Sequence, residues 1–337
     1  MKRIIVIVFL IGTLISWSQT VKGIVLDEQN QPLPGANIYF DGTTIATISD
    51  NNGNFSLNYE AKLNSVLVVS FIGYQSQFIQ SFDAKKGLFI ILKEAINKLD
   101  EVVITKEKFS RKHKMKLFKE QFLGKTKAGR KAIIENEDDI YFEYIESTKT
   151  LKAYSNKLLI INNVLLGYKI TYEMIDFQVN FNTVSMSSDD VNRSFYAGLS
   201  RFEELNSNSK ILKEREKCYQ GSRLHFFRNL ANNIWDKDNF LLFKRSFQDN
   251  PNNYFTVTKT DDGSSKVVVT NQKQSFKSVA IVNLLFNNKQ QSKVIFETDT
   301  FYIDQFGNNS NINNIFFSGH IAEQKVGGLL PINYGIN

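Results

Sequence analysis

The sequence predicts a mainly β protein, with an N-terminal seven-stranded antiparallel β-sandwich, a short basic helical joint and then a larger β-rich α+β domain. Short β-branched runs alternate with turn dipeptides over residues 20–104, basic residues cluster over 105–135, and strand-like runs return over 136–337. The chain has 337 residues, of which 42% are hydrophobic and 22% are charged. This composition is typical of a folded protein with one large domain or two ordinary ones.

Residues 1–19 have the three-part pattern of a secretory signal peptide. A basic start at Lys2 and Arg3 precedes an apolar run from Ile4 to Ile15, and small polar residues follow as far as Gln19. The apolar run is shorter than the roughly 20 residues that span a bilayer. We therefore expect cleavage after Gln19, export of the remaining chain and no transmembrane segment in the mature protein. An uncleaved membrane anchor is the alternative.

Residues 20–104 contain about seven short strand-like runs separated by turns. Asp41-Gly42 and Asn52-Gly53 are turn dipeptides of the hairpin type, in which glycine supplies a positive φ. Seven short strands at this spacing predict an antiparallel sandwich. The runs are Val21–Leu26, Ala36–Phe40, Thr43–Ser49, Phe55–Tyr59, Val66–Phe71, Tyr74–Phe82 and Leu88–Leu92.

Several separated motifs in this module resemble one known family. They are Val21–Val25, Gln31–Ile38, Thr44–Asp50, Gly53–Leu57 and Ser70–Tyr74. Together they resemble the carboxypeptidase regulatory-like domain of Bacteroidetes envelope proteins. The resemblance implies a seven-stranded, transthyretin-like sandwich that carries no catalytic residues.

The resemblance extends beyond this module. Lys98–Ile104 is similar to the segment that links such a domain to the plug of TonB-dependent receptors. A receptor barrel of about 22 strands needs far more than the roughly 230 residues that follow, so a transporter is not expected. Motifs further along resemble those of envelope proteins that carry this N-terminal domain, and they indicate architecture and location rather than a reaction. They are Phe122–Thr126, Leu166–Tyr172, Tyr219–Leu230 and Leu330–Tyr334.

The predicted helical joint over residues 105–135 holds eleven lysines and arginines and three glutamates. Its apolar residues give only a weak helical stripe. One interpretation is a solvated helix that docks on the next domain. The other is a surface, represented by Lys112 and Lys116, that contacts anionic headgroups or lipopolysaccharide phosphates. A nucleic-acid partner is not expected, because the rest of the exported chain is not basic and has no nucleic-acid-binding motif.

The region 136–337 reads as strands interrupted by one helix candidate over Phe202–Asn229. Within it lie Ser222, Arg223, His225 and Arg228, which are the contact candidates of this region. At a spacing of three residues a serine and a histidine share one helix face, so a nucleophile and its base are conceivable. The simpler interpretation is a helix that begins with a serine cap near Gly221-Ser222. The two arginines either bind a carboxylate or phosphate or form surface ion pairs.

We expect no catalytic residues, no cofactor and no metal site. The single cysteine, Cys218, excludes an intrachain disulfide and a cysteine-rich zinc site. The one His-x-x-Glu pair, His320 and Glu323, has no histidine after it to complete a zinc site.

These observations favour a non-enzymatic exported cell-envelope protein that uses its sandwich for protein or surface contacts. The expected location is the periplasm or the periplasmic face of the outer membrane. The expected partners are outer-membrane proteins or an anionic envelope surface. Two alternatives stay open: an accessory component of a TonB-linked uptake system, and an envelope or polysaccharide hydrolase whose catalytic part is the C-terminal region.

Overall fold

The computed structural model describes residues 18–60, 63, 65–95, 108–272 and 278–336. The chain divides into two compact units, the first formed by Met1–Tyr39 and Ile45–Ala95 and the second by Phe40–Thr44 and Ile96–Asn337. The predicted signal peptide lies outside the described residues except for its last two, which already belong to the first strand. The segment similar to a receptor linker, Lys98–Ile104, also lies outside them.

The first unit is the predicted sandwich of seven strands. One sheet has the strand order β4-β1-β7 and the other has the order β3-β2-β5-β6. Both sheets bury apolar side chains, among them Val21 and Leu57 from the first and Ile38 and Leu67 from the second. The strands are β1 (Ser18–Leu26), β2 (Asn37–Phe40), β3 (Ala46–Ile48), β4 (Asn54–Glu60), β5 (Leu67–Ser70), β6 (Gln77–Ile79) and β7 (Leu88–Ile91).

The prediction of an antiparallel sandwich is confirmed with one exception, because β1 and β7 run parallel. Hairpin turns dictate antiparallel pairing only between strands that follow one another, and these two are the first and last of the unit. Gly23 lies in this pairing, where a Cβ would come within 2.4 Å of the Leu88 carbonyl oxygen. Gly53 has the expected positive φ, of 76°, in the turn before β4.

The first part of the second unit packs two helices on a six-stranded antiparallel sheet. The sheet has the order β8-β11-β12-β10-β9, with β13 paired along β12. The helices bury Leu117, Phe118 and Phe122 in a core cluster with sheet residues such as Phe177. The elements are α1 (Arg111–Phe122), α2 (Lys127–Lys131), β8 (Ala132–Ile134), β9 (Ile140–Ile145), β10 (Thr150–Ser155), β11 (Leu159–Asn163), β12 (Tyr168–Phe181) and β13 (Val191–Glu204).

The rest of the second unit places helix α4 against a five-stranded and a three-stranded sheet. Their orders are β15-β14-β18-β19-β21 and β16-β17-β20. Phe226 and Leu230 of α4 join a second core cluster with Phe296 and Phe301. The elements are α3 (Ser209–Tyr219), α4 (Arg223–Ala231), β14 (Phe240–Lys244), β15 (Phe247–Asp249), β16 (Phe255–Lys259), β17 (Ser265–Val269), β18 (Ala280–Phe286), β19 (Gln290–Phe296), β20 (Thr300–Ile303), β21 (Ile315–Gly319) and α5 (His320–Glu323).

Five short 3-10 turns complete the described secondary structure of the second unit: Glu137–Asp139, Ser188–Asp190, Pro251–Asn253, Ile312–Asn314 and Val326–Gly328.

The structure corrects the prediction of a single helix over Phe202–Asn229. The first residues of that range end strand β13, and two separate helices follow. The interruption occurs at Gly221, whose φ of 75° is incompatible with a right-handed helix. The predicted basic helical joint is confirmed as helical, but α1 and α2 belong to the core of the second unit rather than to a separate linker.

Candidate functional site

Helix α4 carries three of the six predicted contact residues, Arg223, His225 and Arg228, and a fourth, Ser222, caps its first turn. This serine has extended backbone angles, and its hydroxyl oxygen accepts a hydrogen bond from the His225 backbone N–H at 3.1 Å. A serine in this position satisfies one of the donors that a helix start leaves unpaired. This hydrogen bond makes the buried Ser222 a helix cap, as the simpler interpretation of the sequence predicted.

His225 is a buried histidine with a partner at each ring nitrogen. Its Nδ1 accepts from the Gly221 backbone N–H at 3.1 Å, which assigns the proton to Nε2. Nε2 then donates to the Asn239 side-chain oxygen at 3.0 Å. Asn239 is held in turn by Asp236, which accepts from its amide nitrogen. Burial lowers the pKa of His225, so the ring stays neutral.

This geometry argues against a nucleophilic role for Ser222. The Ser222 hydroxyl caps the helix through a backbone N–H, and the near ring nitrogen of His225 is occupied by Gly221. A serine nucleophile requires a base that is open to accept its proton. The structure brings the two residues together as parts of one helix start and not as a catalytic pair.

Arg228 uses its whole guanidinium group to hold backbone. Nε donates to the Phe306 carbonyl at 2.9 Å, and the two terminal nitrogens donate to the carbonyls of Tyr334 and Ile332, each at 2.8 Å. The group also lies 5.4 Å from the centroid of the Tyr219 ring. These bonds join α4 to the turn after β20 and to the segment after the last 3-10 turn, so Arg228 is a structural residue.

Arg223 has a different environment from Arg228. One of its terminal nitrogens donates to the Tyr196 hydroxyl on β13 at 3.1 Å, and the guanidinium lies 5.7 Å from the Phe317 ring centroid. Lys325 approaches the same tyrosine, with its Nζ 5.5 Å from the ring centroid and 3.3 Å from the Ser194 hydroxyl oxygen. Two cations therefore meet at one tyrosine.

Lys325 was not among the residues that the sequence predicted. It is half-buried, and burial, together with the nearby Arg223 charge, lowers its pKa to about 8. Neither its position after a four-residue helix nor its neighbours Gln324 and Val326 mark it in the sequence. Only the fold brings it to Tyr196, so sequence reasoning had no signal with which to find it.

Lys112 and Lys116 lie four residues apart on α1 and are exposed. No ion pair involves either of them within the part of the chain that the structure describes. Other lysines of the basic segment are neutralised by glutamates, in the pairs Lys108–Glu146, Lys119–Glu137, Lys125–Glu120 and Lys127–Glu214. The segment therefore presents much less free positive charge than its composition indicates.

The remaining residues that the sequence analysis considered as metal ligands or reactive groups are His320, Glu323 and Cys218. His320 Nδ1 lies 3.7 Å from the Glu323 carboxylate on a solvent-facing turn. Burial raises the pKa of the Cys218 thiol to about 11, which disfavours the reactive thiolate. Across residues 18–60, 63, 65–95, 108–272 and 278–336, no group of three or more histidine, cysteine or acidic side chains is arranged to hold a metal ion.

Two open clefts lie elsewhere in the second unit. One, of about 470 Å³, is lined by residues that include Asn232, Phe255 and Lys259. The other, of about 450 Å³, is lined by residues that include Arg245 and Phe247. Neither cleft contains any of the six predicted contact residues.

Comparison with known proteins confirms the resemblance of the N-terminal module. Residues 21–104 match the family model of the CarboxypepD_reg-like domain. The TonB-dependent receptor SusC of Bacteroides thetaiotaomicron is 47% identical over 85 residues, which are 25% of this chain and 8% of the receptor. The TonB-dependent receptor P39 of Formosa agariphila is 34% identical over 84 residues, again 25% of this chain and 8% of the receptor. The chain thus shares one domain with these receptors and spans 8% of their length.

Among the helices in the described ranges, none has the length and apolar character needed to cross a membrane.

The first prediction concerns Arg228. Lysine in its place cannot reach three carbonyls at once, so we expect Arg228→Lys to lower the free energy of unfolding by about 2 kcal/mol. Urea titration followed by Trp235 fluorescence measures this, because Trp235 lies in the second unit and the sequence's other tryptophan, Trp17, falls in the predicted signal peptide. Arg223→Lys is the matched control and should cost less than half as much. Equal losses in the two variants would contradict the structural role of Arg228.

The second prediction concerns Lys325. Methionine keeps most of the side-chain stem but removes a charge that burial and Arg223 disfavour, so Lys325→Met should leave the free energy of unfolding unchanged or raise it by about 1 kcal/mol. The lysine is disfavoured most at pH values below about 8 and regains stability as the pH rises toward 10.5. The difference between variant and wild type should therefore narrow over that range. A variant that is clearly less stable at pH 7 would show that the charge supports the fold.

Proposed function

We propose that this chain is a non-enzymatic exported cell-envelope protein whose sandwich unit makes protein contacts within a TonB-linked uptake system. One observation carries the proposal: residues 21–104 match a domain that is present in two TonB-dependent receptors, one of them 47% identical over the shared region. The proposed location is the periplasmic face of the outer membrane. Because only one domain is shared, the proposal gives the chain an accessory role beside a receptor and not the receptor's own activity.

The surface of the sandwich unit supports this role. Three large apolar side chains are strongly exposed on or beside β6 and β7, the edge strands of the two sheets: Ile72 at 88%, Phe89 at 66% and Phe78 at 48%. The edges of the two sheets adjoin there, because Tyr74 bridges Glu94 and the Gln77 side chain donates to the Ile91 carbonyl. We call Ile72, Phe78 and Phe89 the apolar edge. Apolar groups gathered on a sheet edge are suited to contact another protein.

The hydrolase alternative receives no support from the residues that suggested it. Ser222 caps a helix and His225 is held on both ring nitrogens. The proposal that anionic envelope surfaces bind Lys112 and Lys116 is also weakened, since glutamates neutralise much of the charge around them.

The third prediction tests the sandwich contact. The tagged chain is expressed in its own host, cross-linked and purified from detergent-solubilised outer membranes, and co-purified proteins are quantified by mass spectrometry. We expect a TonB-dependent receptor among them, and we expect Ile72→Lys/Phe89→Lys to reduce its recovery roughly tenfold, since charges in a desolvated interface are costly.

The control for this experiment is Ile48→Lys, which places the same charge on a side chain that is 60% exposed on β3, at the opposite edge of the four-stranded sheet. Recovery of the receptor should be unchanged in this variant, and all variants should share the melting temperature of the wild type. Absence of any receptor above the tag-only background, or equal losses in the two edge variants, would contradict the proposal.

A further inference from the structure

We infer that Arg223, Lys325, Tyr196 and Ser194 form a binding site for a phosphate monoester in the second unit. We call these four residues the cation pocket. It lies at the start of α4 and on one face of β13, where Ser194 and Tyr196 are two residues apart and therefore point the same way. The site is independent of the sandwich unit and of the contact proposed for it.

The two cations of the pocket lack a counter-charge. Among the described residues, no carboxylate lies within 4.0 Å of either Arg223 or Lys325. By contrast, the buried Arg215 of the same unit is paired with Glu204 at 3.3 Å. Two like charges that are brought together and half-buried cost stability unless an anion joins them. Burial first and the nearby Arg223 charge second lower the pKa of Lys325, which agrees with a lysine that has no anionic partner.

The unused hydrogen-bonding groups of the pocket are donors. The Tyr196 oxygen accepts from Arg223 and the Ser194 oxygen accepts from Lys325, so the proton of each hydroxyl group points elsewhere. Arg223 makes no other hydrogen bond in the described structure, which leaves its Nε and second terminal nitrogen available. Lys325 keeps two of its three N–H groups. A ligand that fits must offer several acceptors and no competing donors.

A phosphate monoester has both the charge and the acceptors that the pocket lacks. At neutral pH it carries a charge between −1 and −2 and three terminal oxygens, whereas a carboxylate carries one charge and two oxygens. An arginine can bind two of the phosphate oxygens at once, and a lysine binds as a point charge. Arg223 is also the first residue of a nine-residue helix, whose N-terminal end favours anions.

Arg193 offers a matched control on the same strand. Like Arg223, it packs against an aromatic ring, that of Phe316, at 5.1 Å from the centroid. It directly precedes Ser194, so the alternation of the strand directs it to the opposite face. The cation pocket therefore predicts that Arg223 and Lys325 matter for phosphate binding and that Arg193 does not.

The fourth prediction is a protection experiment on the full exported chain. An amine-selective acylating reagent is applied at pH 7.5, and modification of each lysine is followed by peptide mass spectrometry. We expect millimolar inorganic phosphate and glycerol 3-phosphate to slow the modification of Lys325 while leaving Lys112 unchanged. Sodium acetate at equal ionic strength should protect far less. Arg223→Gln should raise the half-protecting concentration roughly tenfold, and Arg193→Gln should leave it unchanged.

Vesicles distinguish a soluble phosphate from a lipid headgroup. If phosphatidylcholine vesicles containing phosphatidic acid protect Lys325 at a lower phosphate concentration than glycerol 3-phosphate does, the ligand is a lipid headgroup; the reverse order indicates a soluble ester. Vesicles of phosphatidylcholine alone are the control. Calorimetric titration of Lys325→Met with glycerol 3-phosphate, in a variant expected to fold at least as stably as the wild type, should show binding weakened at least as much as in Arg223→Gln.

Three results would overturn the inference. The first is a modification rate of Lys325 that no phosphate source alters. The second is acetate that protects as well as phosphate does. The third is an Arg193→Gln variant that loses as much protection as Arg223→Gln.

Discussion

The three hydrogen bonds from Arg228 to backbone carbonyls fix helix α4 in the second unit, where the helix packs in the second core cluster with residues of the five-stranded and three-stranded sheets. One side chain satisfies carbonyl groups of Phe306, Ile332 and Tyr334, which lie 78, 104 and 106 residues further along the chain than Arg228. At the other end of the helix, Ser222 and His225 close the first turn through the backbone N–H groups of His225 and Gly221. Phe226 and Leu230, which precede and follow Arg228 in the sequence, enter the second core cluster. Because buried polar groups are costly when unpaired, these bonds stabilise the helix in this position.

The basic side chains of α4 have different roles in this arrangement. The positive charge of Arg228 is fully engaged by carbonyl groups, and the ring of His225 is kept neutral by burial. Arg223 is the first residue of the helix, and some of its guanidinium N–H groups make no hydrogen bond in the described structure. A helix held rigidly at both ends presents Arg223 in a fixed position opposite Lys325 and Tyr196. Rigid support of this kind is what a small-anion site requires, since geometry and not flexibility gives its selectivity.

The sequence was most informative where local chemistry decides structure. Turn dipeptides and the glycine at position 53 predicted the sandwich, because a positive φ is a property of the residue itself. A serine cap at position 222 was predicted for the same reason. The predicted helix began too early, at Phe202, since most side chains of β13 are half-buried and the strand shows no alternation of polar and apolar residues that would mark its end. The pairing of Lys325 with Tyr196 depends on contacts between residues more than a hundred positions apart, which no local pattern encodes.

The polar side chains of α4 that resemble a catalytic group are structural supports, and the protonation state of His225 tests this role most directly. A long-range ¹H–¹⁵N correlation spectrum of the imidazole, recorded from pH 8 downward, reports which ring nitrogen carries the proton. The structure predicts a neutral ring protonated at Nε2. Since the unfolded histidine titrates near pH 6.5, it also predicts that the free energy of unfolding falls as the pH drops below that value. A ring that becomes an imidazolium with an ordinary pKa while the protein stays folded, or one protonated at Nδ1, would contradict the account.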